Sequence, residues 1–434
     1  YDRLGKELAW TNQVFASSTE IVATTTPSQI RTYIGDPGFG HLLGYVSYPN
    51  EKEMATGKYN PKEYVGRSGI EKSENDLLLG ERGTKIIEVD ARGEQASDHV
   101  VKKPIPGKEI KLAIDSRVQA KFYEYLKQLA QDRGFVGGAG VIMNVNNGEI
   151  LAMVSYPDYD PNVLSQGKDR SEIGRYFNSP SNIMLNRSVG GLYTPGSVFK
   201  PFVAIGALNE NIIDPNKNFY TTGELVIPNP YNPEQKTIFK DWKNQGTVDM
   251  RKAIAMSSNV YFYIIGGGFG KQAGLGVTKI KSYAELFGLT QKTGIALPGE
   301  EGGILPSPEW KAKTFAGEPW RLGDTYHTAI GQYGVLVTPI QMVRAYSAIA
   351  NGGYLLTPQI IQLNASSSIE RTKLPLEDKD LQIIREGMKE CVLSGTAKAL
   401  NINGVSVSAK TGTAELGETK ARVNSWITGF WPSE

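Results

Sequence analysis

The sequence has one cysteine, three histidines and no long apolar run. The single cysteine, Cys391, excludes an intramolecular disulfide and any site built from several thiolates. The three histidines are dispersed and lack carboxylates at metal-ligand spacing, so no metal site and no other cofactor is predicted. No stretch of about 18 apolar residues occurs, so a membrane-spanning helix is not predicted within the chain.

Neither sign of charge dominates the chain. Lysine and arginine number 47 against 45 aspartates and glutamates, and no basic block is interleaved with aromatic residues. The electrostatic footprint that nucleic-acid binding requires is therefore missing, and no nucleic-acid partner is predicted. The 434 residues are 40% apolar, which is enough for a sizeable core, and the length is typical of about two or three domains.

The pattern of the chain changes near residue 104. The first hundred residues carry short strand-like segments, such as 21–25 and 85–90, between Pro/Gly turns and exposed charge. Segment 100–107 contains two prolines and a glycine among basic residues, and we interpret it as a linker because proline fixes an extended backbone and removes an N–H donor. We therefore predict a small, loop-rich module over 1–104 and a larger domain over 105–434.

The larger domain combines helical and strand-like patterns. Helical periodicity occurs at 116–131, 199–208, 249–256 and 339–350. Strand-like segments occur at 140–145 and 150–154, joined by the hairpin dipeptide Asn147-Gly148, and at 405–409 and 426–430. Because helices and strands segregate along the chain, we predict an α+β fold with an antiparallel sheet and helices.

The first candidate motif is Ser197-x-x-Lys200. This spacing places a hydroxyl and an amine on one face of a helix, but Ser165-x-x-Lys168 has the same spacing in a polar, loop-like segment. Ser197 instead opens an apolar helical run with Pro201 in its first turn, where a missing N–H is tolerated. Burial and the helix dipole would lower the pKa of Lys200 toward a neutral amine that accepts the Ser197 proton.

The second candidate motif is Ser257-Ser258-Asn259, which follows the predicted helix at 249–256. Positions i and i+2 of a helix point in different directions, so Ser257 and Asn259 can converge on one site only from a turn between helices. The alternative is a plain helix cap, for which serine and asparagine are favoured. Ser73-Glu74-Asn75 has the same Ser-x-Asn pattern, which shows how easily the pattern occurs by chance.

The third candidate motif is Lys410-Thr411-Gly412-Thr413, preceded by apolar residues that alternate with serines. On a strand Thr411 and Thr413 share a face, and Gly412 leaves room for a substrate backbone. A lysine beside two hydroxyls suits a carboxylate. The alternative is an ordinary solvated strand end, and residues 292–294 repeat the letters in a loop-like context.

The order Ser-x-x-Lys, Ser-x-Asn, Lys-Thr-Gly is the set found in serine β-lactamases and penicillin-binding proteins. Over nearly its whole length the chain resembles the class B penicillin-binding proteins, and most closely their elongation-type members. The resemblance also rests on further segments, namely residues 2–9, 66–71, 88–93, 148–161, 185–187, 193–202, 293–295 and 330–339.

The resemblance implies a penicillin-binding and serine β-lactamase-like transpeptidase domain on a smaller, β-rich pedestal domain. The implied activity is a peptidoglycan D,D-transpeptidase that cross-links stem peptides and is acylated by β-lactams. Ser197 is implied to be the acylated nucleophile and Lys200 its base. Ser257 and Lys410 are implied to deliver a proton to the departing D-alanine.

The resemblance also implies a set of substrate contacts. Asn259 is implied to hold the stem-peptide amide and to orient Lys200, while Thr411 and Thr413 bind the terminal carboxylate beside Gly412. The backbone N–H groups of Ser197 and Thr413 are implied to form the oxyanion hole.

Two alternative functions remain open from the sequence. One is a protein that hydrolyses or senses β-lactams, and the other is a non-catalytic scaffold of the cell wall. Class A β-lactamases carry a Glu-x-x-x-Asn pattern whose glutamate activates the deacylating water. That pattern does not occur between Asn259 and Lys410, so slow deacylation is predicted.

The resemblance further implies a bacterial cytoplasmic membrane protein with its catalytic domain on the extracytoplasmic side and a membrane glycosyltransferase of the shape or elongation type as partner. The anchor that the resemblance implies is not part of this chain, which begins at Tyr1 without a methionine. A further strand and helix of the family are expected after Glu434. His327 is interpreted as part of a core or cleft wall.

Overall fold

The computed structural model describes residues 1–14, 28–90, 92, 94–229, 232, 234–364, 367–417, 419 and 422–433. The strand-like segment predicted at 21–25 lies outside these residues. The elements of the predicted N-terminal module are short and are, in chain order, β1 Ala9–Val14, β2 Ser28–Tyr33, α1 Gly40–Leu43, β3 Val46–Ser47, α2 Glu51–Ala55, β4 Val65–Gly66, α3 Gly69–Ser73, α4 Asn75–Leu79, β5 Thr84–Val89 and β6 Gln95–Lys102.

The strands of this module form antiparallel pairs, β1 with β2, β3 with β4 and β5 with β6. Strand β5 confirms the segment predicted at 85–90. The linker predicted at 100–107 is wrong in its first part, because β6 extends to Lys102 and Ile105 exchanges backbone hydrogen bonds of 2.8 and 2.9 Å with Glu81. This segment pairs its backbone groups with a neighbouring strand or bridge instead of leaving them to solvent.

The larger domain continues with helices and antiparallel strand pairs. Its elements are α5 Ser116–Arg133, β7 Gly138–Met143, β8 Ile150–Tyr156, α6 Pro161–Gln166, α7 Arg170–Asn178, α8 Arg187–Gly190, α9 Lys200–Asn209, β9 Phe219–Thr221, β10 Glu224–Pro228, β11 Lys236–Lys240, β12 Gly246–Val248, α10 Met250–Ala255, α11 Asn259–Gly267, α12 Val277–Leu286, α13 Pro308–Thr314, α14 Leu322–Ala329, α15 Pro339–Ala350, β13 Tyr354–Leu356, β14 Arg371–Lys373, α16 Asp378–Leu393, β15 Ser408–Leu416 and β16 Arg422–Phe430. The pairs are β7–β8, β9–β12, β10–β11, β13–β14 and β15–β16, which confirms the α+β class.

Most local predictions for this domain are confirmed. Helix α5 begins after Asp115, whose side chain accepts the N–H groups of Arg117 and Val118, and ends at Gly134 with φ of 68°. The strand predicted at 405–409 is placed wrongly, because β15 begins at Ser408. The third motif therefore lies inside a strand, in register with β16, and does not follow one.

The largest hydrophobic core surrounds α9 and α11. Residues Lys200 to Leu208 are all buried, and so are Val260 to Gly266. Helices that are apolar on every side lie inside a core. The turns that precede α9 and α11 are consequently fixed at the edge of this core.

A second core joins the two predicted domains. Leu8, Tyr33 and Leu42 of the N-terminal part pack in one cluster with Ile114 and Ile340 of the larger part, and all five side chains are at most 2% exposed. The position of the domain boundary remains a prediction, but the packing is continuous across it.

Candidate active site

The first motif lies at the junction of two helical segments. Gly196–Phe199 is a short 3-10 helix that leads directly into α9, so the helix start predicted at Ser197 is a tighter turn than an α-helix. The Lys200 N–H donates to the Ser197 carbonyl, and Pro201 lies in the first turn of α9 as predicted. Ser197 is half-buried, whereas Lys200 is fully buried.

The Lys200 amine is held by the second motif. Its Nζ donates to the Ser257 carbonyl at 2.7 Å and to Asn259 Oδ1 at 2.8 Å, and lies 3.3 Å from Ser257 Oγ. Among the described residues no hydrogen bond joins this amine to the Ser197 hydroxyl. Burial holds the pKa of Lys200 well below its ordinary value, and the nearby charge of Lys410 lowers it further.

The second motif forms the predicted turn between two helices. Ser257 lies between α10 and α11 with φ of 57°, in the left-handed region, and its side chain is buried. The capping alternative also holds, but for the middle residue, because Ser258 Oγ accepts the Tyr261 N–H at 3.4 Å. Ser257 and Asn259 are therefore left to contact Lys200.

The third motif brings a second buried lysine to this region. Lys410 is fully buried in β15, and its Nζ donates to the Thr411 carbonyl at 3.0 Å. Desolvation lowers the pKa of Lys410 to about 8. The alternative of an ordinary solvated strand end is therefore wrong.

The glycine of the third motif lies against the turn that carries the nucleophile candidate. A Cβ at Gly412 would lie 2.7 Å from the Pro195 carbonyl oxygen and 3.0 Å from the Val198 nitrogen. The open space predicted at Gly412 for a substrate backbone is therefore occupied by the protein's own backbone. The absence of a side chain allows β15 to contact the segment around Ser197 directly.

The two threonines of the third motif have different surroundings. Thr411 Oγ1 lies 2.5 Å from Thr396 Oγ1, which in turn lies 3.3 Å from the sulfur of buried Cys391. Thr413 is exposed. They share a face of β15, as predicted, but Thr411 is tied to the segment after α16 while Thr413 faces solvent.

The segments that repeat the motif letters elsewhere have local structural roles. Ser165 Oγ accepts the Val46 N–H at 3.1 Å in α6, and Lys168 is exposed. Thr293 is buried and donates to Glu300, which folds the loop around it. None of these contacts involves Lys200 or Lys410.

Two residues at the site were not identified from the sequence, since Asp241 contacts the second motif and Thr396 contacts Thr411. Neither Asp241 nor Thr396 belongs to a motif or a periodic pattern that would have predicted a place at the site. Trp426, at the start of the strand predicted over 426–430, packs as strand aromatics usually do, and its Nε1 donates to the Thr194 carbonyl at 3.0 Å next to the 3-10 helix. His327 is exposed, with its ring 5.6 Å from that of Phe239.

No group of three or more histidine, cysteine, aspartate or glutamate side chains is arranged to hold a metal within the residues that the structure describes. In the same part of the chain, none of the helices combines the length and the apolar character needed to cross a bilayer.

Comparison with known proteins identifies the family. Residues 138–434 match the penicillin binding protein transpeptidase domain, and residues 13–112 match the penicillin-binding protein dimerisation domain. Since the first match alone covers more than half of the chain, this protein belongs to the penicillin-binding proteins with a transpeptidase domain.

The individual relatives to which the chain is similar include peptidoglycan D,D-transpeptidases and PBP2 structures. The chain is 31% identical to the peptidoglycan D,D-transpeptidase MrdA of Acinetobacter baumannii over 391 residues, which are 87% of this chain and 55% of that protein. It superimposes with a TM-score of 0.79 on PBP2 of Helicobacter pylori solved in complex with MreC, at 32% identity, covering 94% of this chain and 73% of the other.

A chain of a solved peptidoglycan synthase complex, described as coordinating polymerization and crosslinking, gives a TM-score of 0.82 at 29% identity over 94% of this chain and 70% of its own length. The chain spans about 55–60% of the length of the curated MrdA relatives that it matches first.

Proposed function

We propose that this protein is a serine-type peptidoglycan D,D-transpeptidase of the elongation type, which cross-links stem peptides ending in D-alanyl-D-alanine. The observation that carries the proposal is the Lys200 amine, fully buried three residues after Ser197 and held by Ser257 and Asn259. An amine whose pKa is lowered in this way is a base suited to activate a serine hydroxyl.

In the proposed acylation, Ser197 Oγ attacks the carbonyl carbon of the penultimate D-alanine and Lys200 takes the hydroxyl proton. An ester bond forms at Ser197 and the peptide C–N bond breaks. The D-alanine amine leaves with a proton delivered through Ser257, beside Lys410. An acceptor amine from a second stem peptide then attacks the ester, forms the cross-link and returns the proton to Ser197.

The remaining motif residues are proposed to bind the donor peptide. Lys410 supplies positive charge near the terminal carboxylate, to which Thr413 offers an exposed hydroxyl and Thr411 a hydroxyl tied to Thr396. Gly412 acts by letting β15 approach the Ser197 turn. The backbone N–H groups of Ser197 and Thr413 are proposed to stabilise the oxyanion. Asn259 is proposed to orient Lys200 and to contact the stem-peptide amide.

We further propose the domain division and cellular setting that follow from this function. Residues 105–434 form the transpeptidase domain on a pedestal over 1–104, on the extracytoplasmic side of the bacterial cytoplasmic membrane. A membrane glycosyltransferase is proposed as partner. The solved synthase complex and the MreC complex of the two structural relatives support membership in such an assembly.

The test is incubation with a penicillin, followed by intact mass over several hours. We expect a one-to-one adduct that persists, because the Glu-x-x-x-Asn pattern of deacylating enzymes does not occur between Asn259 and Lys410. Ser197→Ala should abolish the adduct. The matched control is Ser165→Ala, which removes the serine of the other Ser-x-x-Lys segment and should leave labelling unchanged.

Other outcomes would contradict the proposal in distinct ways. Release of opened penicillin with recovery of the free enzyme within minutes would indicate a β-lactam hydrolase. An unlabelled protein with a normal thermal transition would indicate a non-catalytic scaffold. An adduct that survives Ser197→Ala would assign the nucleophile to another residue.

A further inference from the structure

Asp241, the residue after β11, bonds the second motif from outside its helices. Its Oδ2 accepts the Ser258 hydroxyl at 2.9 Å and the Val260 N–H at 3.1 Å, while Oδ1 accepts its neighbour Trp242 N–H at 2.9 Å. Its own N–H donates to the Gly223 carbonyl at 2.8 Å, which fixes its backbone. The carboxylate therefore bridges the start of α11 to a separate pair of strands.

The neighbours of Asp241 hold the other side of the same turn. The Lys240 carbonyl accepts Asn259 Nδ2 at 3.4 Å, and the Met256 carbonyl accepts Trp242 Nε1 at 3.2 Å and Gln245 Nε2 at 3.4 Å. Segment 240–245 is thus bonded to residues on both sides of Ser257. A contact of this kind constrains the turn more than a cap at a single position.

This support matters because the turn adopts an unfavourable backbone conformation. A serine with φ of 57°, as at Ser257, costs of the order of 1 kcal/mol and persists only where the surroundings over-determine it. The same turn carries the Ser257 carbonyl and the Asn259 side chain that hold Lys200. If the turn relaxed, both acceptors would move away from the amine.

Asp241 also contributes charge to the site. Two charged groups affect the pKa of the Lys200 amine, namely Asp241 from segment 240–245 and Lys410 from β15. Lys410 in turn interacts electrostatically with Cys391 of α16. The carboxylate raises the pKa of Lys200, opposing the stronger lowering by burial and by Lys410. Asp241 therefore acts on the amine both through the turn and through its field.

We propose that Asp241 is a positioning residue of the active site, whose carboxylate fixes the Ser257–Asn259 turn against Lys200 and supplies an anion near the Lys200 amine. The proposal rests on the proposed function, since it assigns Asp241 to the same acylation chemistry. Asp241 is given no contact with the reacting atoms, and it acts through the second motif and through its charge.

The test compares Asp241→Asn, which removes the charge but keeps the shape and one oxygen that can still accept the Ser258 hydroxyl and the Val260 N–H, with Asp241→Ala, which removes every side-chain hydrogen bond. The matched control is Asp249→Asn, because Asp249 caps α10 by accepting the Lys252 N–H at 2.9 Å. The second-order rate constant for acylation by a fluorescent penicillin is measured from pH 5 to 10. A separate readout is the pKa of Lys200, followed by NMR of ¹³Cε-labelled lysine and assigned with Lys200→Arg.

For Asp241→Asn we expect the acidic limb of the rate profile, and the NMR pKa of Lys200, to move down by about half a pH unit or more, since an anion beside an amine raises its pKa. Asp241→Ala should in addition lower the maximal rate by roughly tenfold to a hundredfold, as expected for a displaced catalytic group. Asp249→Asn should leave both readouts unchanged.

The two proposals fail in different ways. If penicillin acylates Ser197 but Asp241→Asn leaves the acidic limb and the Lys200 pKa unchanged, the role of Asp241 is refuted and the proposed function stands. If the wild-type protein is not acylated, the proposed function fails, and the NMR titration alone decides whether Asp241 sets the charge of Lys200.

Discussion

Lys200 and Lys410 are both fully buried, and the positive charge of Lys410 lowers the pKa of Lys200. Two like charges at close range cannot both be retained cheaply in a medium of low dielectric. The arrangement therefore favours one neutral and one cationic lysine. A neutral Lys200 could act as a base, while a cationic Lys410 could bind a carboxylate.

The first prediction is that Lys410→Met stabilises the fold while removing activity. Lowering the pKa of a lysine from 10.5 to about 8 corresponds to roughly 3 kcal/mol of unfavourable burial of the charged form. Methionine fills a similar volume without charge, so thermal unfolding at pH 7 should move to higher temperature, while acylation by penicillin falls by about a hundredfold or more. A variant that is less stable and still acylated would contradict this reading.

The same shift predicts how stability depends on pH. The unfolded chain keeps the Lys410 proton up to about pH 10.5, whereas the folded chain releases it near pH 8. Because the unfolded state binds more protons within this window, the free energy of unfolding contributed by Lys410 rises from pH 8 to about 10.5. Urea denaturation at several pH values should show this rise in the wild type and a smaller one in Lys410→Met.

The second-order rate constant of acylation should have a bell-shaped dependence on pH. The acidic limb reflects the neutral amine required at Lys200, and the alkaline limb, near pH 8, reflects the loss of the Lys410 cation. The profile of this constant reports the pKa values of the free enzyme's essential groups. A rate that stays constant from pH 7 to 10 would exclude Lys410 as the required cation.

Gly412→Ala should separate β15 from the turn that carries Ser197. The added Cβ would meet the Pro195 carbonyl at 2.7 Å and the Val198 nitrogen at 3.0 Å, and both are backbone atoms that cannot rotate away. We expect a loss of about 1–3 kcal/mol in the free energy of unfolding and acylation slowed at least tenfold.

The control for this glycine is Gly174, which lies inside α7 with ordinary backbone angles and no atom within 4 Å of its ideal Cβ. Gly174→Ala should stabilise the fold by about 0.5–1 kcal/mol through helix propensity and leave acylation unchanged. Equal effects at both positions would show that contact with the Ser197 turn is not what distinguishes Gly412.

Thr396→Val should weaken binding of the substrate carboxylate without changing the charge of the site. It removes the hydroxyl that lies 2.5 Å from Thr411 Oγ1, and a net hydrogen bond contributes about 1 kcal/mol, or roughly fivefold in acylation rate. Thr221→Val is the control, since Thr221 Oγ1 also makes a hydrogen bond, to the Gly246 carbonyl at 3.1 Å, and Thr221 is more buried than the half-buried Thr396. A loss of acylation of the same size in both variants would show a general cost of removing a hydrogen-bonded threonine hydroxyl.

The sequence identified the features of this site that are governed by short-range rules. The turn before Lys200, the proline in the first turn of α9 and the break between α10 and α11 all follow from spacing and residue type. The contact of Asn259 with Lys200 is what the resemblance to penicillin-binding proteins implies, whereas the bond from Lys200 to the Ser257 carbonyl was not expected.

Features that depend on distant segments were missed or explained wrongly. Asp241 reaches the second motif across 17 positions, and Thr396 reaches Thr411 across 15, without any periodic signal. The small size of Gly412 was assigned to a substrate because the approach of Pro195 is a tertiary contact. The prolines of segment 100–107 are typical of a linker, and no local pattern indicates that Val100 pairs with Lys85 and Ile105 with Glu81.

The continuous packing of Leu8, Tyr33 and Leu42 against Ile114 and Ile340 bears on how the protein can be divided. A fragment beginning at residue 105 would expose the apolar side chains that now pack against Leu8, Tyr33 and Leu42. Such a fragment would be prone to aggregate, even with the candidate catalytic residues correctly folded. The N-terminal residues of this cluster therefore belong to the same hydrophobic core as Ile114 and Ile340.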